Sequence, residues 1–149
     1  MKNGMLFIVT CALAGASWGC KAPVDYTAAL MANEWQLKEL VNDTDTVVLP
    51  ARVPTLVFAD SGRVSGFSGC NRFTGKYTVK GETITFSRVV TTHMMCVESM
   101  AFEQLFQRLL PGLAHVAVRA GELTLSDEKG KARLLFVPAP PRRSSLPAT

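Results

Sequence analysis

Between Trp35 and Val137 the apolar residues fall in short alternating runs punctuated by turn signals, and this pattern limits the possible folds more than any other feature. Thr55-Leu-Val-Phe58 stops at Asp60-Ser-Gly62, and Arg63-Val-Ser-Gly-Phe67 returns from it, so the pair predicts a hairpin. Lys76-Tyr-Thr-Val79, the turn Lys80-Gly81-Glu82 and Thr83-Ile-Thr-Phe86 predict a second. Ser87 to Thr91 is expected to form another short strand, and Trp35, Leu37 and Leu40 mark an opening one. Ala114 to Val118, Glu122 to Leu125 and Arg133 to Val137 complete the set, the last two joined by a turn at Ser126 to Gly130.

The period changes after Cys96. Ala101, Phe102, Leu105, Phe106, Leu109 and Leu110 recur at helical spacing, with Glu103, Gln104 and Gln107 assigned to the opposite, polar side. Ser99 is the N-cap candidate, and Pro111-Gly112 stops the helix. The expected fold class is therefore mainly β (α+β): a small antiparallel rolled sheet or partial barrel with one packed amphipathic helix near residues 99–110. Rolling answers the problem of exposed strand edges, and the helix would cover one opening or face.

The termini set the compartment. Lys2 followed by the apolar run Met5 to Ala16 and small residues has the layout of a secretory signal. The run is shorter than the roughly 20 residues that span a bilayer. Cys20 stands where a bacterial lipoprotein signal places its acceptor thiol, after Ser17-Trp18-Gly19, of which Gly19 is the small residue expected beside the cut. The expected organisation is a lipoprotein-type signal peptide over 1–19, a tether over 20–29, one domain over 30–137 and a disordered tail over 138–149. The formal charge is +4, and loss of Lys2 with the signal leaves +3. The basic residues are scattered outside Arg142-Arg143, without the stripe and aromatic platforms of a nucleic-acid binder, so no nucleic-acid partner is expected.

Setting aside Cys11 in the signal and Cys20, two cysteines remain, Cys70 and Cys96. In an oxidising compartment an even pair reads first as a disulfide, with two buried reduced thiols as the alternative. Such a bridge would close a loop of about 25 residues and contribute roughly 3–4 kcal/mol. Around them stand Gly69-Cys70-Asn71-Arg72-Phe73-Thr74-Gly75 and, after a hairpin, Thr92-His93-Met94-Met95-Cys96. The glycines allow positive φ or close backbone approach, and Asn71 is suited to satisfying backbone groups at an irregular edge. Phe73 and Tyr77 are expected to share a face. Arg72 and Lys76 should reach solvent, and Met94 and Met95 should fill gaps in the core.

These motifs, with Trp35-Gln-Leu37 upstream, resemble the META domain, a family that includes HslJ-like heat-shock lipoproteins of bacteria. The signature residues are Gly69, Cys70, Asn71, Arg72, Phe73, Gly75, Thr92, Met94 and Cys96, while His93 stands where arginine is common in the family. The resemblance implies a small antiparallel β structure with a packed helix, frequent export or lipid anchoring, and a role in stress response without an established reaction.

The function expected is that of a non-enzymatic exported lipoprotein in envelope maintenance, with no cofactor. It would be held by lipid at Cys20 on the outer membrane, facing the periplasm, and would bind an envelope protein or an apolar ligand. Two alternatives stand beside this: a soft-metal (Cu or Zn) binding protein using Cys70, His93 and Cys96, and a purely structural membrane-anchored module. No catalytic constellation emerges. Only His93 and His115 are available as histidine bases, and Gly66-Phe-Ser-Gly69 lacks the final glycine of a nucleophile elbow.

Overall fold

The computed structural model describes residues 24–141. The signal, Cys20 and the last part of the tail lie outside the described residues.

Nine strands form: β1 (Glu34–Asn42), β2 (Asp45–Thr46), β3 (Thr55–Ala59), β4 (Arg63–Phe67), β5 (Arg72–Lys80), β6 (Thr83–Thr91), β7 (Leu113–Arg119), β8 (Glu122–Asp127) and β9 (Ala132–Pro138). All pairings are antiparallel, and each strand from β3 onward pairs with the next. β1 pairs with both β3 and β9, so eight strands close into a barrel, and β2 is a short flap on β1. Closure removes the open edges that a rolled sheet would leave.

The inward set follows the two-residue period. Leu56 and Phe58, Ile84 and Phe86, Leu123 and Leu125, and Leu134 and Phe136 are all buried. In β1 the buried residues are Trp35, Leu37 and then Leu40, a break in phase absorbed by a bulge between Leu37 and Glu39. On β5, Phe73 and Tyr77 share the inner face as expected. The Tyr77 ring meets Phe58 edge-on at 4.9 Å, and its hydroxyl donates to Ala59 O. Burial, with a smaller contribution from the Asp60 charge, holds its phenol above the usual range.

Three elements differ from the sequence expectation. Residues 87–91 are no separate strand. They continue β6 through a bulge at which Arg88 and Val89 oppose the single Gly75. The expected tether ends early, because α1 (Thr27–Met31) buries Tyr26 and Leu30 in the core, and Trp35 Nε1 donates to Leu30 O at 2.8 Å. Met94 and Met95 do not fill the core: they are 55% and 84% exposed.

The long connection from β6 to β7 carries the main helix, α2 (Met100–Leu109), flanked by single 3-10 turns. It closes one end of the barrel with Phe102 and Phe106, followed by Leu110 in the 3-10 turn after it, all buried. The Phe106 ring lies 6.0 Å from Phe73 and 6.2 Å from Phe102. The β6–β7 seam is the thin one, with Thr83 opposite His115 as its only strand pair and Val116 N donating to Glu82 O beside it. There the wall is completed by side chains packed between helix end and strands rather than by a ladder.

Close approach fixes Gly66 on β4. A Cβ there would lie 2.0 Å from Thr55 O and 2.7 Å from the Phe73 ring. Gly66→Ala should therefore part β3 from β4 and cost about 1–3 kcal/mol, the usual range for overpacking, read as a lower urea midpoint. Tyr77 sets a pH dependence. Its folded pKa is raised, so its contribution is intact below the unfolded value of about 10 and fades as pH rises through the folded one. Tyr77→Phe should lose about 1 kcal/mol at neutral pH with the hydroxyl's hydrogen bond, and should lose less than wild type between neutral and alkaline pH in paired urea titrations.

Candidate functional site

The sequence motif forms the tip of the β4–β5 hairpin, residues 68–71, at the end of the barrel covered by α2. Ser68 N donates to Asn71 O at 2.8 Å and pinches the loop shut. Gly69 takes φ +107°, a conformation that a side chain would strain, and packs beside Phe102.

Asn71 is buried at 4% exposure and uses its whole amide. Its Oδ1 accepts from Met94 N at 2.6 Å and from Thr92 Oγ1 at 2.8 Å. Its Nδ2 donates to Met94 O at 3.1 Å and to Glu103 Oε2 at 2.9 Å. The amide thus stands in for a missing strand partner where the chain leaves β6. Thr92 N also donates to Arg72 O, and Arg72 N to Thr92 Oγ1, carrying the pairing one residue past the strand.

Glu103, on the first turn of α2, receives three donors: the Ser68 hydroxyl, Asn71 N at 2.8 Å and Asn71 Nδ2. It is 7% exposed. The sequence reading placed it on the polar side of the helix. The structure corrects this: Ser99, Glu103, Phe106 and Leu110 follow one buried stripe at helical spacing. That spacing was the available signal; charge alone argued for solvent. Ser68 is likewise fully buried, with no apolar character in the sequence to mark it.

Cys70 and Cys96 are joined, with Cα atoms 5.8 Å apart, tying the hairpin tip to the entry of α2. Cys70 Sγ also lies 3.5 Å from Met94 O; with the sulfur in a disulfide this is a contact and not a proton donation. The bridge removes both thiolates on which the soft-metal alternative of Cys70, His93 and Cys96 depended. His93 is exposed beside it.

The remaining motif residues divide between core and surface. Phe73 is in the core, and Arg72 is exposed. Met94 contributes its backbone to the network and its side chain to solvent. The result is a rigid rim from which a ridge projects, carrying Val90, Met94, Met95 and Val97 at 64%, 55%, 84% and 83% exposure. A cleft of about 360 Å³ between Pro50, Arg52, Gly69 and Ser99 lies on one side of Cys96. A cleft of about 250 Å³ between Thr92, Met95, Met100 and Gln107 lies on the other.

Chemically, this arrangement orders a surface. The buried polar side chains Ser68, Asn71 and Glu103 are engaged with one another and with the backbone, and the two sulfurs are bonded to each other. Glu103→Gln would turn one acceptor into a donor facing a donor. It should cost about 2–3 kcal/mol in urea denaturation, clearly more than Glu122→Gln in the solvent-screened, exposed pair with Lys38.

Comparison with known proteins agrees with this fold. The family model described as META domain matches residues 28–140. A search of curated proteins finds no match. Among solved structures, an NMR structure of a protein from Burkholderia xenovorans is similar at 23% identity and a TM-score of 0.60, covering 93% of this chain and 98% of that one. A second NMR structure is similar at 23% identity and 0.59, covering 76% and 95%. A crystal structure of a DUF4847 family protein from Bacteroides vulgatus shares the fold at 12% identity and 0.57, covering 76% and 96%.

Proposed function

We propose, the chain being a member of the META domain family, that it is a non-enzymatic envelope lipoprotein of the HslJ-like, stress-response kind, acting by contact with a partner protein. The observation that carries this reading is the exposed apolar ridge Val90, Met94, Met95 and Val97, held on a rim that a disulfide and a buried hydrogen-bond network keep in place. Exposed apolar groups that are adjacent and rigid favour association, because little conformational freedom is lost when they are covered. Methionine adapts to varied partner surfaces. The non-enzymatic reading is supported by the engagement of Glu103, Asn71 and both cysteines within the fold.

Attachment would fall to lipid on Cys20. Among the described residues no helix is long and apolar enough to cross a membrane. The chain from Cys20 to Tyr26 would then hold the barrel close to the outer membrane, in the periplasm. A partner contact on the ridge is favoured over an apolar ligand inside the barrel, since Trp35, Phe106, Phe136 and a set of leucines occupy the interior.

The test is complementation of a deletion strain under heat and envelope-active drugs. Wild type should restore growth. The double substitution Met95→Asp with Val97→Asp should fail to do so, while shifting folding stability by no more than about 0.5 kcal/mol, as is usual for exposed positions. Full restoration by that variant, or a deletion strain that grows like its parent under every such stress, would remove the proposal's support.

A further inference from the structure

The charges on the barrel wall are segregated. All three ion pairs among the described residues lie on the β1–β8–β9 side: Lys38 with Glu122, Lys131 with Asp43 and Arg133 with Glu39. β3 to β6 form the other wall and carry Arg63, Arg72, Lys76, Lys80 and Arg88 but no aspartate or glutamate. All five cations are exposed, and among the described residues none has a carboxylate within ion-pair distance. The nearest acids in sequence, Asp60 and Glu82, stand in the turns at the ends of these strands.

Within this wall, three cations converge. Arg63 on β4 sits directly opposite Lys76 on β5, a like-charge pair that sheets normally avoid. Arg88 joins them through the β6 bulge. Along β6 the alternation buries Ile84 and Phe86, and continued without interruption it would turn residue 88 inward. The bulge inserts Arg88 as the extra residue with φ +52° and leaves its side chain exposed, while Val89 packs against the core in its place. Glycine is the usual occupant of a left-handed bulge position. Here an arginine holds it, next to two other cations. Together Arg63, Thr74, Gly75, Lys76 and Arg88 line a cleft of about 240 Å³ that contains no acid. Gly75 contributes backbone to the cleft; a side chain there would point inward onto Val89.

We propose that this cleft is a binding site for a phosphate group, held by the guanidinium groups of Arg63 and Arg88, the Lys76 ammonium and the Thr74 hydroxyl. Guanidinium forks match the oxygens of a tetrahedral anion, and an ammonium adds a compact charge. The cluster repels itself when empty and is relieved by an anion. The phosphate is that of an anionic lipid headgroup or of a small soluble ester, two sources with the same chemistry at the cleft. This site borders the apolar ridge at Val90, which stands opposite Thr74, but it is built from other residues and does not depend on the partner reading.

The experiment uses the full chain in neutral detergent, titrated with inorganic phosphate and followed by the backbone amide shifts of residues 63, 76 and 88. Flotation on phosphatidylcholine vesicles, with and without phosphatidylglycerol, runs beside it. Arg88→Gly is the main variant, since glycine suits the left-handed backbone and keeps the fold. Arg133→Gln, from the ion-paired wall, controls for net charge. The expected result is that Arg88→Gly weakens binding about tenfold while Arg133→Gln does not, in line with the loss of a charged hydrogen-bonding group. Saturable phosphate binding with that pattern supports the site with a soluble source. The same pattern confined to extra flotation on phosphatidylglycerol supports it with a lipid source. Equal behaviour of wild type and Arg88→Gly with both probes, or an equal loss in Arg133→Gln, overturns it.

Discussion

The hydrogen-bonded contact between Asn71 and Glu103 is the interaction on which the rest of the structure depends. It joins three segments with no local reason to meet: the β4–β5 hairpin tip, the chain leaving β6 and the first turn of α2. A buried carboxylate is tolerable only when its oxygens are occupied, and a buried amide only when its donors and acceptors are. Here each group supplies what the other lacks. The asymmetry of such networks makes the arrangement specific: complete, it adds modestly to stability, whereas a broken one leaves a desolvated group behind. The disulfide spans the same junction covalently, so α2 is pinned to the rim by two independent means.

Pinning α2 matters because the barrel does not close by strand pairing alone. The β6–β7 seam is short; the turn carrying Leu110 packs against β6 beside it, and Phe102 and Phe106 cover the end. The helix is at once lid and part of the core. Its position also decides what the connection before it displays. With Asn71 holding both backbone groups of Met94, the loop cannot fold its methionines inward, and they stand in solvent. The apolar ridge is a consequence of the same bonds that keep the helix seated.

Much of this was legible in the residues. The alternation at 55–58, 63–67, 76–79, 83–86, 122–125 and 133–137 was read as strands, and each lies in one. Helical spacing placed α2 to within a residue at either end. The family resemblance was read from the two cysteine motifs, and the family model matches across residues 28–140. What escaped was phase and context. The bulges in β1 and β6 shift the inward set by one residue, and nothing in Leu37-Lys-Glu-Leu40 or Ser87-Arg-Val-Val90 marks where the extra residue goes. Glu103 was read by its charge, although its spacing with Ser99, Phe106 and Leu110 put it on the buried stripe. Met94 and Met95 were read by their hydrophobicity, although the chain around them had no inward path.

By itself, then, the sequence determined the local elements: strand against helix, the order of hairpins, and the conjunction of Gly69, Cys70 and Asn71 ahead of Thr92 and Cys96. These follow from backbone sterics and side-chain period, which act between near neighbours. Only the tertiary structure decided that the sheet closes on itself, that Glu103 turns inward to meet Asn71, that the methionines turn outward and that Arg63, Lys76 and Arg88 line one cleft. Those outcomes rest on desolvation and hydrogen-bond satisfaction between groups tens of residues apart, where the partner, and not the residue's own character, sets the energy.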